Sequence, residues 1–222
     1  WMMVRGGLPT NEEASLFEAA LVAGVDHGPQ APSIAAARMA ATCGVGINNA
    51  MATGINMLGD IHGGAGEQCA ELFYEISSRI DNGATFEKAI QEALREWESG
   101  NGKIISGFGH RFHKPIDPRA PRLLELVRLA AKENIVSGKY ADIAEAIQSH
   151  LSIKKDIAMN IDGATAVIFC ELGFPAPLSR GLFCLSRSVG ILSHAWEQIE
   201  QGGRNKGPMP PKYLPKYISK NT

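Results

Sequence analysis

Residues 65–76 read AGEQCAELFYEI, and the spacing of the apolar side chains in this stretch predicts the fold class. Ala65, Cys69, Leu72, Phe73 and Ile76 fall 4, 3, 1 and 3 residues apart, which places them on one face of an α-helix. Segments 86–97 and 185–199 carry the same kind of stripe. Because no convincing alternation of apolar and polar side chains accompanies them, we predict an all-α protein.

The same periodicity predicts further helices at about 11–25, 32–43, 47–58, 120–133, 140–152 and 161–172. Residues that favour helix starts (Asn11, Pro32, Thr85, Pro121) and glycines that favour helix ends (Gly44, Gly83, Gly138, Gly173) mark the boundaries. Breaks near Asn101-Gly102 and between Phe108 and Pro118 predict two domains. The larger would comprise residues 1–105 and 176–222, and the smaller residues 106–175.

Composition restricts the class of partner. The 222 residues are 45% apolar, and 22 basic against 23 acidic side chains leave a net charge of −1, so we expect no nucleic-acid or membrane partner. The four cysteines are far apart and form no CxxC pair, which favours a reducing, cytoplasmic location. We expect neither a signal peptide nor a membrane span. Because the chain starts at Trp1 inside an apolar stretch, we expect a preceding segment.

Small side chains are concentrated between Ala35 and Gly59, including the run Gly44-Val45-Gly46. Such residues let helix backbones approach closely, so we predict that these helices pack against a second copy in a homodimer. Tight packing within one chain explains the same composition equally well.

The stretch from Gly107 to Arg119, GFGHRFHKPIDPR, predicts a loop that binds anions and handles protons. Glycines beside Phe108 allow tight turns and close approach to a ligand, while Pro115 and Pro118 stiffen the path toward Arg119. A solvated basic turn is the simpler alternative.

Three more polar segments interrupt the helices: Asp26-His27-Gly28-Pro29, Asp60-Ile61-His62-Gly63-Gly64 and Asn160-Ile161-Asp162-Gly163. His62 precedes a helix, whose N-terminal dipole disfavours a protonated imidazole. A structural role for His27 and a helix N-cap role for Asp162 are the alternatives to chemistry. No ligand spacing such as HxxxH or CxxC is present, so we expect no metal.

In order and spacing, these segments resemble the citrate synthase superfamily over nearly the whole chain. The family's DH, HGG, GxGHR…DPR, NxD and late SR segments are matched by Asp26-His27, His62-Gly63-Gly64, Gly107 to Arg119, Asn160-Ile161-Asp162 and Ser186-Arg187. The resemblance implies catalytic roles for His62, His110 and Asp162, and substrate binding by His27, Arg119 and Arg187. It also implies a coenzyme A site at Ile104, Ile105, Ser106, Gly107, Phe108, Gly109 and Lys114.

The implied chemistry is the making or breaking of a carbon–carbon bond next to a thioester. Asp162 would exchange a proton with the acetyl methyl group, and a neutral His62 would donate to the thioester oxygen. His110 would hydrogen-bond the carbonyl or alkoxide oxygen, and the arginines would bind carboxylates. Coenzyme A would be a substrate, and no tightly bound cofactor is implied.

One departure favours a lyase. Synthases carry an Arg-Pro about twenty residues after the late SR motif, where this chain has Gly207-Pro208; Lys206 or Arg204 could replace that arginine. The DH and SR segments resemble short citryl-CoA lyases and the citryl-CoA lyase module of ATP-citrate lyase, whereas the HGG and DPR segments are closer to synthases. We predict cleavage of citryl-CoA to acetyl-CoA and oxaloacetate. The alternatives are a citrate or 2-methylcitrate synthase and a non-catalytic coenzyme A-binding subunit.

Overall fold

A computed structural model describes residues 1–102, 104–110, 113–153, 157–205, 212 and 216. Within these residues the chain forms α-helices and no strand, which confirms the predicted class. The helices are α1 (Met2–Arg5), α2 (Asn11–Ala23), α3 (Pro32–Thr42), α4 (Ile47–Asn56), α5 (Ala65–Asp81), α6 (Phe86–Asn101), α7 (Arg119–Lys132), α8 (Lys139–Ser152), α9 (Ile161–Glu171) and α10 (Ala176–Glu200).

Two predicted boundary residues are wrong. Pro121 lies inside α7, which begins at Arg119 after Pro118 as N-cap. Gly138 does not end a helix; it precedes α8 with a φ of 76°. The chain instead leaves α7 through Asn134, at a φ of 57°. The carboxylate of Glu171 accepts hydrogen bonds from the Gly138 and Tyr140 amides at 3.0 and 2.8 Å, so a distant residue caps α8.

The main core forms around α5 and α9. From Gly163 to Cys170 every residue of α9 is buried, which makes it the central helix of the fold. Against it α5 places Cys69, Leu72, Phe73 and Ile76, each no more than 1% exposed, so the opening stripe of the sequence is confirmed. Helices α2, α6, α7 and α8 surround this pair. The first turn of α9, which carries Asp162, is therefore held by the best-packed part of the chain.

A second core joins α3, α4 and α10. A Cβ added to Gly54 would lie 2.7 Å from Ile191 Cγ2 and 2.9 Å from the Ser33 carbonyl oxygen, so α4 approaches both neighbours at this glycine. Packing within the chain thus accounts for the buried small residues of segment 35–59. Because α5 packs on α9 within the main core, the predicted division at residues 105 and 176 is not visible in the packing and stays a prediction.

Helix α10 has two unlike faces. Its buried face carries Ser186, Arg187, Gly190, Ile191 and Ala195. The apolar stripe predicted from the sequence lies on the other side and is 39–59% exposed at Leu185, Val189, Leu192, Trp196 and Ile199. None of the helices in the described part of the chain is both long enough and apolar enough to cross a bilayer.

Candidate active site

The first part of the predicted loop, Gly107 to His110, lies directly against the start of α9. The Asn160 amide donates to the Gly107 carbonyl at 3.0 Å, and the Asn160 side chain donates to the Gly109 carbonyl at 2.6 Å. A Cβ added to Gly163 would lie 2.4 Å from the Gly107 carbonyl oxygen. Gly107 itself has a φ of 87°, which favours glycine. The two glycines therefore let the predicted loop and the Asp162 segment meet backbone to backbone.

The N-cap of α9 is Asn160, whose side-chain oxygen accepts from the amides of Asp162 and Gly163 at 2.9 and 3.2 Å. The capping explanation for Asp162 is therefore wrong. Burial raises the pKa of the Asp162 carboxyl, although Arg187 and Arg119 act in the opposite direction. A carboxyl group that holds its proton above the ordinary range suits proton transfer to and from carbon.

His62 is oriented by the N-terminus of α3. The Ser33 amide donates to His62 Nε2 at 3.2 Å, and the Ser33 hydroxyl oxygen lies 3.0 Å from the same atom. Because Nε2 accepts, the neutral ring carries its hydrogen on Nδ1. Burial, followed by the charge of Arg187, lowers the pKa of His62. The predicted neutral imidazole donor is consistent with these contacts, in which the N-terminus of α3 meets the ring.

His110 belongs to a group of three imidazoles. The His113 amide donates to His110 Nδ1 at 2.9 Å, so neutral His110 carries its hydrogen on Nε2. The rings of His110 and His113 are 4.4 Å apart, and those of His110 and His27 are 5.5 Å apart. Burial is the main cause that lowers the pKa of both His27 and His110. The structure thus brings two of the predicted histidines together, both favoured in the neutral form.

Arg119 is held by Asp117, a residue that was not among the predicted site residues. Asp117 accepts from Arg119 Nε and Nη2 at 3.0 and 2.8 Å and from the Ile161 amide at 3.1 Å. Burial acts to raise the pKa of Asp117, but the hydrogen bonds from Arg119 and Ile161 lower it overall. The sequence signal for this role, which the prediction did not use, is the position of Asp117 in the DPR motif, two residues before the arginine.

Arg187 is a buried cation whose guanidinium group is only partly hydrogen-bonded. It is 4% exposed, its Nε donates to the Gly24 carbonyl at 3.0 Å, and its guanidinium carbon lies 4.8 Å from the ring centre of Phe183. Burial lowers its pKa. Its two terminal nitrogens have no hydrogen-bond partner among the residues described. A buried guanidinium in this state is suited to receive an anion.

A cleft of about 1020 Å³ lies at the start of α9, with Asn160 in its lining, but none of the six predicted catalytic and substrate-binding residues lines it. It is lined by six of the seven predicted coenzyme A-binding residues, Ile104 to Gly109, and across the cleft by Ile61, Glu67 and Arg180. Lys114, the seventh, lines a different pocket with His110 and His113. Arg180 forms ion pairs with Asp60 and Glu67. Within the described lining, the pairing of Arg180 leaves no unpaired cation for a phosphate, so an uncharged arm of a ligand suits this cleft better.

The described residues hold one cluster with metal-ligating groups, formed by His110, His113 and Asp117. Asp117 already accepts from Arg119 and Ile161, and His110 Nδ1 accepts from the His113 amide. The adjacent guanidinium of Arg119 would also repel a cation. These contacts do not suit a metal ion.

Arg204, one of the two candidate replacements for the missing arginine, is not brought to the site within this chain. Arg204 is exposed and precedes Asn205, whose amide donates to the Thr42 carbonyl at 2.8 Å, at the opposite end of α3 from Ser33 and His62. Lys206 and Gly207 lie outside the described residues.

Comparison with known proteins agrees with this geometry. A family model for "Citrate synthase, C-terminal domain" matches residues 1–208. A citrate synthase of Saccharolobus solfataricus is 32% identical over 202 residues, which are 88% of this chain and 51% of that protein. The chain spans about half the length of the curated relatives it matches.

Solved structures give the same fold. The structure of a citryl-CoA lyase from Hydrogenobacter thermophilus has a TM-score of 0.83 at 31% identity, covering 98% of this chain and 81% of that one. An ATP citrate lyase from Methanothrix soehngenii has a TM-score of 0.77 at 22% identity, covering 97% of this chain and 36% of that one.

Proposed function

The chain belongs to the citrate synthase family, and from this membership we propose that it cleaves citryl-CoA reversibly to acetyl-CoA and oxaloacetate. The buried guanidinium of Arg187 is the observation that carries the proposal, because its terminal nitrogens make no hydrogen bond to the described residues and can receive a carboxylate. The carboxylates of a citryl group are anions of this kind. Arg119 and His27 would supply the neighbouring contacts.

His110, His62 and Asp162 each have one role in the cleavage step. His110 Nε2–H donates to the oxygen of the tertiary alcohol, which loses its proton and becomes the keto group of oxaloacetate as the carbon–carbon bond breaks. His62 Nδ1–H donates to the thioester oxygen, where the negative charge of the enolate develops. Asp162 then delivers a proton to the carbon that becomes the methyl group. The alcohol releases its proton to solvent water, and Asp162, which is protonated at the start of the step, gives its proton to the methyl carbon and regains one from solvent, so protons balance.

The thioester arm would lie in the cleft beside Ile104 to Gly109. Because the carboxylates of Asp60, Glu67 and Glu71 also line this cleft, we place the uncharged pantetheine arm there. The phosphates would then lie outside it, on the side of Lys114 or beyond. Coenzyme A acts as a substrate in this scheme, and the chain needs no tightly bound cofactor.

Two observations favour a lyase. The likeness to the citryl-CoA lyase structure has a TM-score of 0.83, against 0.74 and 0.77 for citrate synthases of Thermotoga maritima and Thermoplasma acidophilum. The sequence also lacks the Arg-Pro of synthases at Gly207-Pro208, which removes one carboxylate contact. Condensation by a citrate or 2-methylcitrate synthase is the second candidate, supported by the identities with synthases. A synthase would also hydrolyse the thioester.

We further propose a homodimer and a cytoplasmic location. The uncovered apolar stripe of α10, beside the exposed side chains of α3 and α4, supports association of two copies. The four cysteines are free thiols, as expected in a reducing compartment.

Asp162→Asn tests the chemistry. The wild-type protein is expected to convert citryl-CoA into acetyl-CoA and oxaloacetate, measured by separating the thioesters over time. The variant should lose about 10²- to 10⁴-fold of the rate, the usual contribution of general acid–base catalysis, while its affinity for coenzyme A stays within about twofold. Full activity in the variant would rule out this role, and a wild-type protein inert toward citryl-CoA would support a binding subunit.

A further inference from the structure

One face of α10 supports the segment that carries His27. Arg187, Gly190 and His194 are spaced 3 and 4 residues apart, so they share this face. Arg187 binds the Gly24 carbonyl, and a Cβ added to Gly190 would lie 2.3 Å from the Val25 carbonyl oxygen. The backbones of α10 and of segment 23–28 are therefore in close contact. His194 contacts Asp26, the residue after Val25.

His194 contacts Asp26, the residue immediately before His27. His194 Nε2 lies 3.2 Å from Asp26 Oδ1, and the other carboxylate oxygen accepts from the Gly28 amide at 3.1 Å. Asp26 therefore closes a turn around His27, which Gly28 permits with a φ of 79°. The backbone position of His27 depends on where the Asp26 carboxylate is held.

The imidazole of His194 is fixed from its other side. His194 Nδ1 lies 3.5 Å from Glu197 Oε2, and Glu197 pairs with Arg38. Arg38 also donates to the His194 carbonyl at 3.3 Å. The ring thus spans two carboxylates, with its side chain 19% exposed. A ring held in this way directs Nε2 at Asp26 and leaves it little freedom to turn.

We propose that His194 is a positioning residue, which holds His27 through Asp26 so that His27 can bind the substrate carboxylate. The inference rests on the proposed function for the role of His27 and assigns a new role to His194. Without the imidazole, Asp26 keeps only its contact to the turn, and the segment 23–28 loses one of its attachments to α10. The loss should appear in substrate binding rather than in the proton transfer at Asp162.

The test compares His194→Ala, His194→Gln and the control Ser193→Ala, an exposed neighbour on the same helix. His194→Ala should raise the KM for citryl-CoA about tenfold, the effect expected on breaking one contact of a shared network, with kcat changed less than about threefold. His194→Gln keeps an N–H donor of similar reach and should restore most of the affinity. Ser193→Ala should match the wild type. An unchanged KM in His194→Ala, or a Gln variant no better than Ala, would overturn the proposal.

A double variant separates positioning from a general loss of structure. If His194 acts through His27, His27→Ala/His194→Ala should bind citryl-CoA no more weakly than His27→Ala alone, whereas independent losses that add would overturn the proposal. Different results would refute the binding role of His27 and the role of His194. A normal KM in His27→Ala would refute the binding role of His27 and this inference with it, while a raised KM there beside a normal one in His194→Ala would refute the inference alone.

Discussion

His62, His110 and His27 have one property in common, a lowered pKa caused first by burial. A lowered pKa keeps each imidazole neutral to a lower pH than an ordinary histidine, whose pKa is about 6.5. Since the mechanism uses His62 and His110 as neutral donors, their protonation should limit the rate of citryl-CoA cleavage only below about pH 6.5. The measurement is a pH profile of kcat with melting checked at each pH. An acid limb centred above the ordinary value would contradict the assignment.

At this scale the sequence motifs named the candidate polar residues, and long-range contacts decided how they are held. His62 and the start of α3 are 29 residues apart along the chain, so no local pattern indicated the bond from Ser33. Asp117 lies near Arg119 in sequence, but its buried bond to the Ile161 amide spans 44 residues. The catalytic and binding roles themselves stay predictions.

At the scale of elements, the contact between α9 and the Gly107 loop has a sharp steric requirement. Gly163→Ala would place a methyl group 2.4 Å from the Gly107 carbonyl oxygen, so the loop must move. We expect a loss of about 1–3 kcal/mol in the free energy of unfolding and a large loss of activity. Denaturant unfolding and the cleavage assay measure both.

Gly66→Ala is the matched control on α5. Its added Cβ would meet nothing nearer than the Asp162 carbonyl oxygen at 3.8 Å, so the higher helix propensity of alanine should leave stability equal or slightly raised. Equal losses in both variants would show that the close contact at Gly163 has no special importance.

The helices were predictable because their apolar stripes are local sequence patterns. The ends of the helices were less predictable. The end of α7 depends on Asn134, which adopts the left-handed conformation that glycine usually takes at helix ends. The start of α8 depends on the carboxylate of Glu171 from another helix. For α10 the period was correct, but periodicity alone does not say whether a stripe faces the chain's own core or a partner.

At the scale of the whole molecule, the exposed stripe of α10 predicts the oligomeric state. Light scattering of the protein at micromolar concentration should give the mass of a dimer. Trp196→Glu places a charge in the 52% exposed centre of the stripe and should give monomers with unchanged helix content. Gln91→Glu, which adds the same charge on α6, should stay dimeric. A wild-type protein that is only monomeric would refute the proposal.

The direction of the reaction is the central claim about the whole chain, and it depends on how many cations hold the keto acid. Without an arginine at Gly207, the guanidinium groups that bind oxaloacetate would be those of Arg119 and Arg187, and Arg119 is already paired with Asp117. A charge-assisted contact typically contributes about 1.5–3 kcal/mol, so free oxaloacetate should bind weakly. Citryl-CoA depends less on that contact because its coenzyme A portion is also held.

Steady-state kinetics in both directions test this claim most directly. The protein should cleave citryl-CoA to acetyl-CoA and oxaloacetate, and its KM for oxaloacetate at saturating acetyl-CoA should be at least about 10-fold higher than that of a synthase that carries the arginine, the factor expected from one missing contact of about 1.5 kcal/mol or more. Almost no free citrate should appear. Efficient release of free citrate from acetyl-CoA and micromolar oxaloacetate would contradict the account and make the protein a synthase.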